Sequence, residues 1–132
     1  MEKDLKQLLL MDLCARLPFG VICNYEGVMP FGAGRAKSYD KLTGIKLYSD
    51  HAVLEFGPHK AILGDSIKPY LRPLSSMTEE ENKHYLETCS GGNSDHPTVE
   101  SFDYLKSIHI DYRGLIPLGL ALIALDGMYN TK

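Results

Sequence analysis

Between residues 67 and 81 the chain reads IKPYLRPLSSMTEEE, and within that stretch it must pass from one kind of structure to another. Pro69 and Pro73 each fix their own φ and bias the residue before them, Lys68 and Arg72, toward extended backbone. Five residues beyond the second proline, Thr78 followed by Glu81 is a capping-box pattern, and Glu79 and Glu80 suit the positive end of a helix dipole. The segment therefore predicts a stiff extended connector that hands over to a helix at about 79–89. Strand-like sequence lies before this junction and helix-like sequence after it, which selects an α+β architecture.

Upstream, Leu5, Leu9, Leu13 and Leu17 recur every four residues with Leu8 beside them, whereas Lys3, Lys6, Gln7 and Asp12 take other faces. An amphipathic helix over about 2–16 follows, stopped by Pro18 and Gly20. GVICNY (20–25), GIKLYS (44–49), HAVLEF (51–56) and a piece near 60–63 have the composition of short strands separated by turn residues. They predict a small antiparallel sheet with one buried face, a meander able to close toward a barrel. Downstream, SGGNSDHP (90–97) is a polar loop. Thr98, with Ser101 or ahead of Glu100, opens another helix with Val99, Phe102, Leu105 and Ile108 on one face, and LALIAL reads as a short C-terminal strand. The length of 132 residues fits one domain over 1–132, large enough to bury roughly two-thirds of its unfolded surface.

Three cysteines, Cys14, Cys23 and Cys89, form no paired spacing and predict free, mainly buried thiols in a reducing compartment. The N-terminal apolar stretch is interrupted by Asp12, unlike a secretory signal, and the longest apolar run, GLIPLGLALIAL, is too short for a bilayer and contains Pro117. A cytoplasmic protein without membrane contact is expected. Net charge is −3, but residues 1–75 hold ten Lys/Arg against eight Asp/Glu, and residues 76–132 four against nine. That asymmetry allows a basic face built from Arg35, Lys37, Lys41, Lys46, Lys60, Lys68 and Arg72, well short of the excess of a dedicated nucleic-acid binder.

FGAGRAKS (31–38) imitates a phosphate loop, but Phe31 and Ala36 stand where the fixed glycines belong, so a basic loop able to touch an anion is the reading retained. The five histidines show no metal-ligand spacing, and no motif implies a metal or a cofactor. HIDYRG (109–114) groups His109, Asp111, Tyr112 and Arg113, in which Asp111 is a natural cap for the following turn and Arg113 a partner for a carboxylate. No residue is assigned a catalytic role. The candidate ligand or partner contacts are Lys68, Tyr70 and Arg72, with Arg35, Lys37, Tyr112 and Arg113 beside them. Lysine and arginine suit an anion, and tyrosine suits a ring.

DLCARLPFGV (12–21), IKPYLRPLSSMTEEE (67–81), DYRGLIPLGLAL (111–122) and DGMYN (126–130) resemble a family of small uncharacterised proteins frequent in the phages, prophages and mobile elements of gut anaerobes. Residues 28–60 depart from that pattern, and the family's acidic EAPEG ending stands here as ALDG. The resemblance implies a setting and brings no catalytic residues. Three classes of function follow. The first is a non-enzymatic binding protein, in its concrete form a counter-defence protein that blocks a host immune protein or sequesters a nucleotide signal. The second is a nucleic-acid-binding β-barrel protein, and the third a small enzyme using His109, Asp111 or a cysteine. Homo-oligomer formation stays open.

Overall fold

A computed structural model describes the backbone of residues 3–28, 35–63 and 67–129, with side chains of Lys3, 26–28 and 35–38 outside the described set. Three α-helices, α1 (Lys3–Arg16), α2 (Glu79–Thr88) and α3 (Val99–Ser107), accompany seven strands. The strands are β1 (Ile22–Val28), β2 (Arg35–Lys41), β3 (Gly44–Leu47), β4 (Ala52–Phe56), β5 (His59–Ile62), β6 (Lys68–Leu71) and β7 (Leu122–Ile123). The order of elements is that of an α+β fold with an N-terminal helix, two later helices and a short C-terminal strand.

Among the described residues the strands form two sheets and no closed barrel: a four-stranded one in the order β2-β1-β6-β7 and a three-stranded meander, β3-β4-β5. The strands expected near 44–49, 51–56 and 60–63 form the antiparallel meander, whereas the strand expected at 20–25 joins the other sheet, in which β6 and β7 pair in parallel, Tyr70 opposite Leu122 and Leu71 opposite Ile123. That pairing turns the expected connector KPYLRP into an inner strand. Pro69 is tolerated there because, at its level, β6 is paired with Cys23 of β1 on one side while β7 begins pairing at Tyr70. The basic loop expected over 31–38 lies outside the described residues up to 34, and from Arg35 onward it is β2, paired in register with the whole of β1.

The core joins both sheets to α1. Leu9 and Leu13 of the leucine stripe are fully buried with Val21, Cys23, Leu54, Phe56, Ile67, Leu71 and Leu115. Tyr25 of the larger sheet stacks on Phe56 of the smaller one, centroids 4.1 Å apart and planes 2° from parallel. Both helix caps form as predicted: Thr78 and Glu81 close a reciprocal capping box on α2, and Thr98 and Ser101 close one on α3. On α3 the predicted apolar face is divided, with Leu105 buried and Val99 largely exposed. Cys23 and Cys89 are buried, as expected for small apolar side chains, but Cys14 is exposed. Among the described residues no helix is long and apolar enough to cross a membrane.

Candidate functional site

The candidate residues separate into two groups on the larger sheet and at its end. Strand register puts Asn24 opposite both Tyr39 and Lys68, so these three share one face, and the alternation of a strand adds Lys41 and Tyr70 to it. Positions 35 and 37 of β2 occupy the same face by register, facing Val28 and Glu26; the side chains of Arg35 and Lys37 lie outside the described residues. The opposite face carries Cys23, Tyr25, Pro69 and Leu71, all buried in the core. One side of the sheet therefore gathers polar, basic and aromatic positions with Glu26 among them, and the other is apolar on β1 and β6 while β2 places Asp40 there, exposed.

At the centre of the polar side, Tyr39 is 57% exposed and meets Tyr70 edge-on, centroids 6.1 Å apart and planes at 74°. Tyr70 is buried and accepts a long hydrogen bond from Asn24 Nδ2 at 3.4 Å. This leaves the Tyr39 ring exposed against Tyr70, with half-buried Lys68 two strands away on the same face and exposed Lys41 two residues along its own strand. The arrangement offers a π surface within reach of cations, the two elements that a nucleotide's base and phosphate need. Asn24 and Tyr39 were not among the residues singled out from sequence. The signal for Tyr39 lies in RAKSYDK, where Arg35, Lys37, Tyr39 and Lys41 alternate at the period of a strand, whereas Asn24 is found only through its register with β2 and β6.

Arg72, Tyr112 and Arg113 go elsewhere. They belong to a buried polar centre in which the four segments DLCARLPFGV, IKPYLRPLSSMTEEE, DYRGLIPLGLAL and DGMYN meet. Arg16 and Asp12 are fully buried on α1 and joined at 2.7 Å, although the leucine pattern places Asp12 on a polar face. Arg16 Nη2 also donates to the Ile110 carbonyl at 2.8 Å, and Arg113 Nε donates to the second oxygen of Asp12 at 3.1 Å. Both guanidiniums lie 5.2 Å from the centroid of the Tyr112 ring, a distance at which cation–π attraction contributes. Asp111 accepts the amides of Leu115 and Ile116, each at 2.9 Å, and so caps the turn as its place in the sequence suggests.

Arg72 is held on both nitrogens. Its guanidinium grips Glu81 at 2.7 and 2.8 Å and also donates to the carbonyls of Ser76 and Ile108. That hydrogen bonding holds the Glu81 carboxyl down at about 2, and Glu81 in turn receives the Thr78 amide at 2.9 Å. The amide end of α2 thus carries its own carboxylate. His109 sits at φ 64°, an uncommon left-handed position, with its ring 3.6 Å from that of Tyr129. Burial, then the nearby cations Arg16, Arg72 and Lys41, hold His109 down at about 4. Tyr129 reaches back to the strands: its hydroxyl accepts the Ile22 amide at 2.7 Å and donates to the Tyr70 carbonyl at 2.7 Å, with the Ile22 carbonyl at 3.2 Å. Burial raises its pKa. Burial likewise raises the Cys23 thiol, with Asp12 adding to the effect.

The remaining cations of the predicted basic face lie apart. Lys46 and Lys60 flank Glu55 on the smaller sheet, each 3.9 Å from the same carboxylate oxygen. Among the described residues no three His, Cys, Asp or Glu side chains gather as metal ligands would. Comparison of the chain with family models, with curated proteins and with solved structures finds no match in any of the three.

Proposed function

We propose that this chain is a non-enzymatic binding protein whose ligand carries a nucleotide's chemistry, a ring to stack and phosphate to neutralise, and that the polar face of the larger sheet is where it binds. The observation that carries this reading is the outward Tyr39 ring, braced by Tyr70, on the same sheet face as Asn24, Lys41 and Lys68. Register adds positions 35 and 37 to that face, which is the clustering on one side that a nucleic-acid-binding sheet requires. The resemblance to proteins of phages and mobile elements supports a counter-defence setting, in which a nucleotide signal is sequestered or a host immune protein is blocked.

Fluorescence anisotropy with a labelled oligothymidylate and with a labelled cyclic dinucleotide tests the reading and distinguishes strand from signal. For a strand that loses counterions at three or four phosphates, the affinity should fall with salt at a log–log slope of roughly −2 to −3. Tyr39→Ala should weaken the bound probe about tenfold or more, as removal of a stacking ring does. Absence of binding to either probe at low salt would overturn the proposal.

A further inference from the structure

Away from the polar sheet face, a cleft of about 700 Å³ opens between α1 and the β3–β4 hairpin. It is walled by Leu10 and Leu63 and edged by Lys6 and Gln7 of the helix, with Tyr48, Ser49 and His51 at the hairpin tip. None of the residues lining it belongs to the sheet face described above. Its volume lies within the range of small-molecule sites, and its mixed lining, apolar walls with a few convergent polar groups, is of the same kind.

The hairpin tip is organised. The Tyr48 amide donates to the His51 carbonyl at 2.9 Å, closing the turn. The two rings stack with centroids 4.7 Å apart and planes 11° from parallel, while Tyr48 remains 55% exposed. His51 Nδ1 lies 2.6 Å from the Asp50 carboxylate, which fixes the imidazole ring and leaves Nε2 as its other polar atom. The cleft thus has a Tyr48 ring braced by His51 on the hairpin side of its rim and the flexible Lys6 ammonium on the helix side, with Gln7 and Ser49 also in the lining. Asp50 sits in the same lining, and its negative charge disfavours a dianion such as a phosphate monoester. A ligand with one negative charge and a flat ring suits both sides of the rim, Lys6 and Tyr48.

We propose that this cleft is a binding site for a planar aromatic or heteroaromatic carboxylate, its ring against Tyr48 and its carboxylate against Lys6. The site is separate from the nucleotide-binding reading, and each stands or falls alone. The test is a titration of the nitrogen-15-labelled full chain with indole-3-acetate, nicotinate and 1-naphthoate, followed by amide shifts. Saturable shifts at Gln7, Ser49 and Ala52 are expected for at least one of the three. Tyr48→Ala should then weaken that probe about tenfold through the lost ring contact. Lys6→Met should weaken it roughly threefold, and the matching neutral amide should bind the parent protein no better than the acid binds that variant. Both substitutions lie at the rim, and a retained far-ultraviolet circular dichroism spectrum confirms that the variants fold. No saturable shift at the cleft up to about 10 mM of any probe overturns the proposal. So do saturable shifts confined to Tyr39 and Lys68, or binding that is unchanged in Tyr48→Ala.

Discussion

Replacing Asp12 by alanine removes the carboxylate that two guanidiniums share. Arg113 is 28% exposed and can turn toward water, but Arg16 is fully buried and held by the Ile110 carbonyl, so its charge would stay in the interior with no anion beside it. Breaking a buried ion pair in this way costs about 3–5 kcal/mol, a large part of the roughly 5–15 kcal/mol by which a domain is stable. For a chain of 132 residues the melting temperature should fall by about 10–20 °C. Urea unfolding followed by circular dichroism reads the loss, with the slope against denaturant unchanged so that the native and unfolded ensembles remain comparable. A second variant separates charge from packing. Asp12→Leu combined with Arg16→Met removes both charges and leaves the Ile110 carbonyl without the guanidinium, so it should recover at least half of the stability that Asp12→Ala loses. The reasoning fails if Asp12→Ala lies within about 1 kcal/mol of the parent, or if the double variant is no more stable than the single one.

Two further outcomes follow from the same region. His109 titrates at about 4 in the folded chain against an ordinary 6.5, so between those values the unfolded state binds more protons and stability falls as pH drops, by about 3 kcal/mol at most. Asn tolerates the left-handed φ of this position, and in His109→Asn urea midpoints measured across that window should lose this limb; equal slopes in parent and variant would refute the assignment. The contribution of Glu81 occupies a lower window, present above about 4.5 and lost as pH falls through about 2, and it should persist in the variant. Tyr129→Phe removes a hydroxyl bonded to the backbone of both β1 and β6 and should cost about 1–3 kcal/mol, with faster hydrogen exchange at the Ile22 amide. An Ile22 amide that exchanges as slowly as in the parent would show that the hydroxyl does not hold the strands.

What the sequence showed of this fold was its local chemistry. Thr78 with Glu81 and Thr98 with Ser101 announce their helices because a cap is built from residues three apart, and Pro18 with Gly20 ends α1 for equally local reasons. β2 was hidden because RAKSYDK alternates basic residues and tyrosine with Ala, Ser and Asp, so its alternation carried no burial signal. β6 was hidden by Pro69, whose tolerance depends on how far β7 extends some fifty residues later. The polar sheet face was half legible. Lys68, Tyr70, Arg35 and Lys37 were named from sequence, yet that they share a face, and that Asn24 and Tyr39 join them, follows from register between strands. Arg72 read as a recognition cation, since nothing local revealed that Glu81 would curl back to meet it across the turn at Leu74–Ser76.

The reach of the buried polar centre along the chain bears on how the protein is made. Arg16 finds the Ile110 carbonyl 94 residues later, Asp12 finds Arg113 after 101, and Ile22 finds the Tyr129 hydroxyl after 107. During synthesis α1 and most of the strands leave the ribosome well before those partners exist. Leu9 and Leu13 then stand beside an Arg16–Asp12 pair that still lacks the Ile110 carbonyl and Arg113, and the rung that Tyr129 supplies between β1 and β6 is still missing. Contacts of such long span favour slow closure and a sticky nascent chain, so the growing chain up to α3, about four-fifths of its length, should be a client for chaperones until the residues that follow α3 emerge.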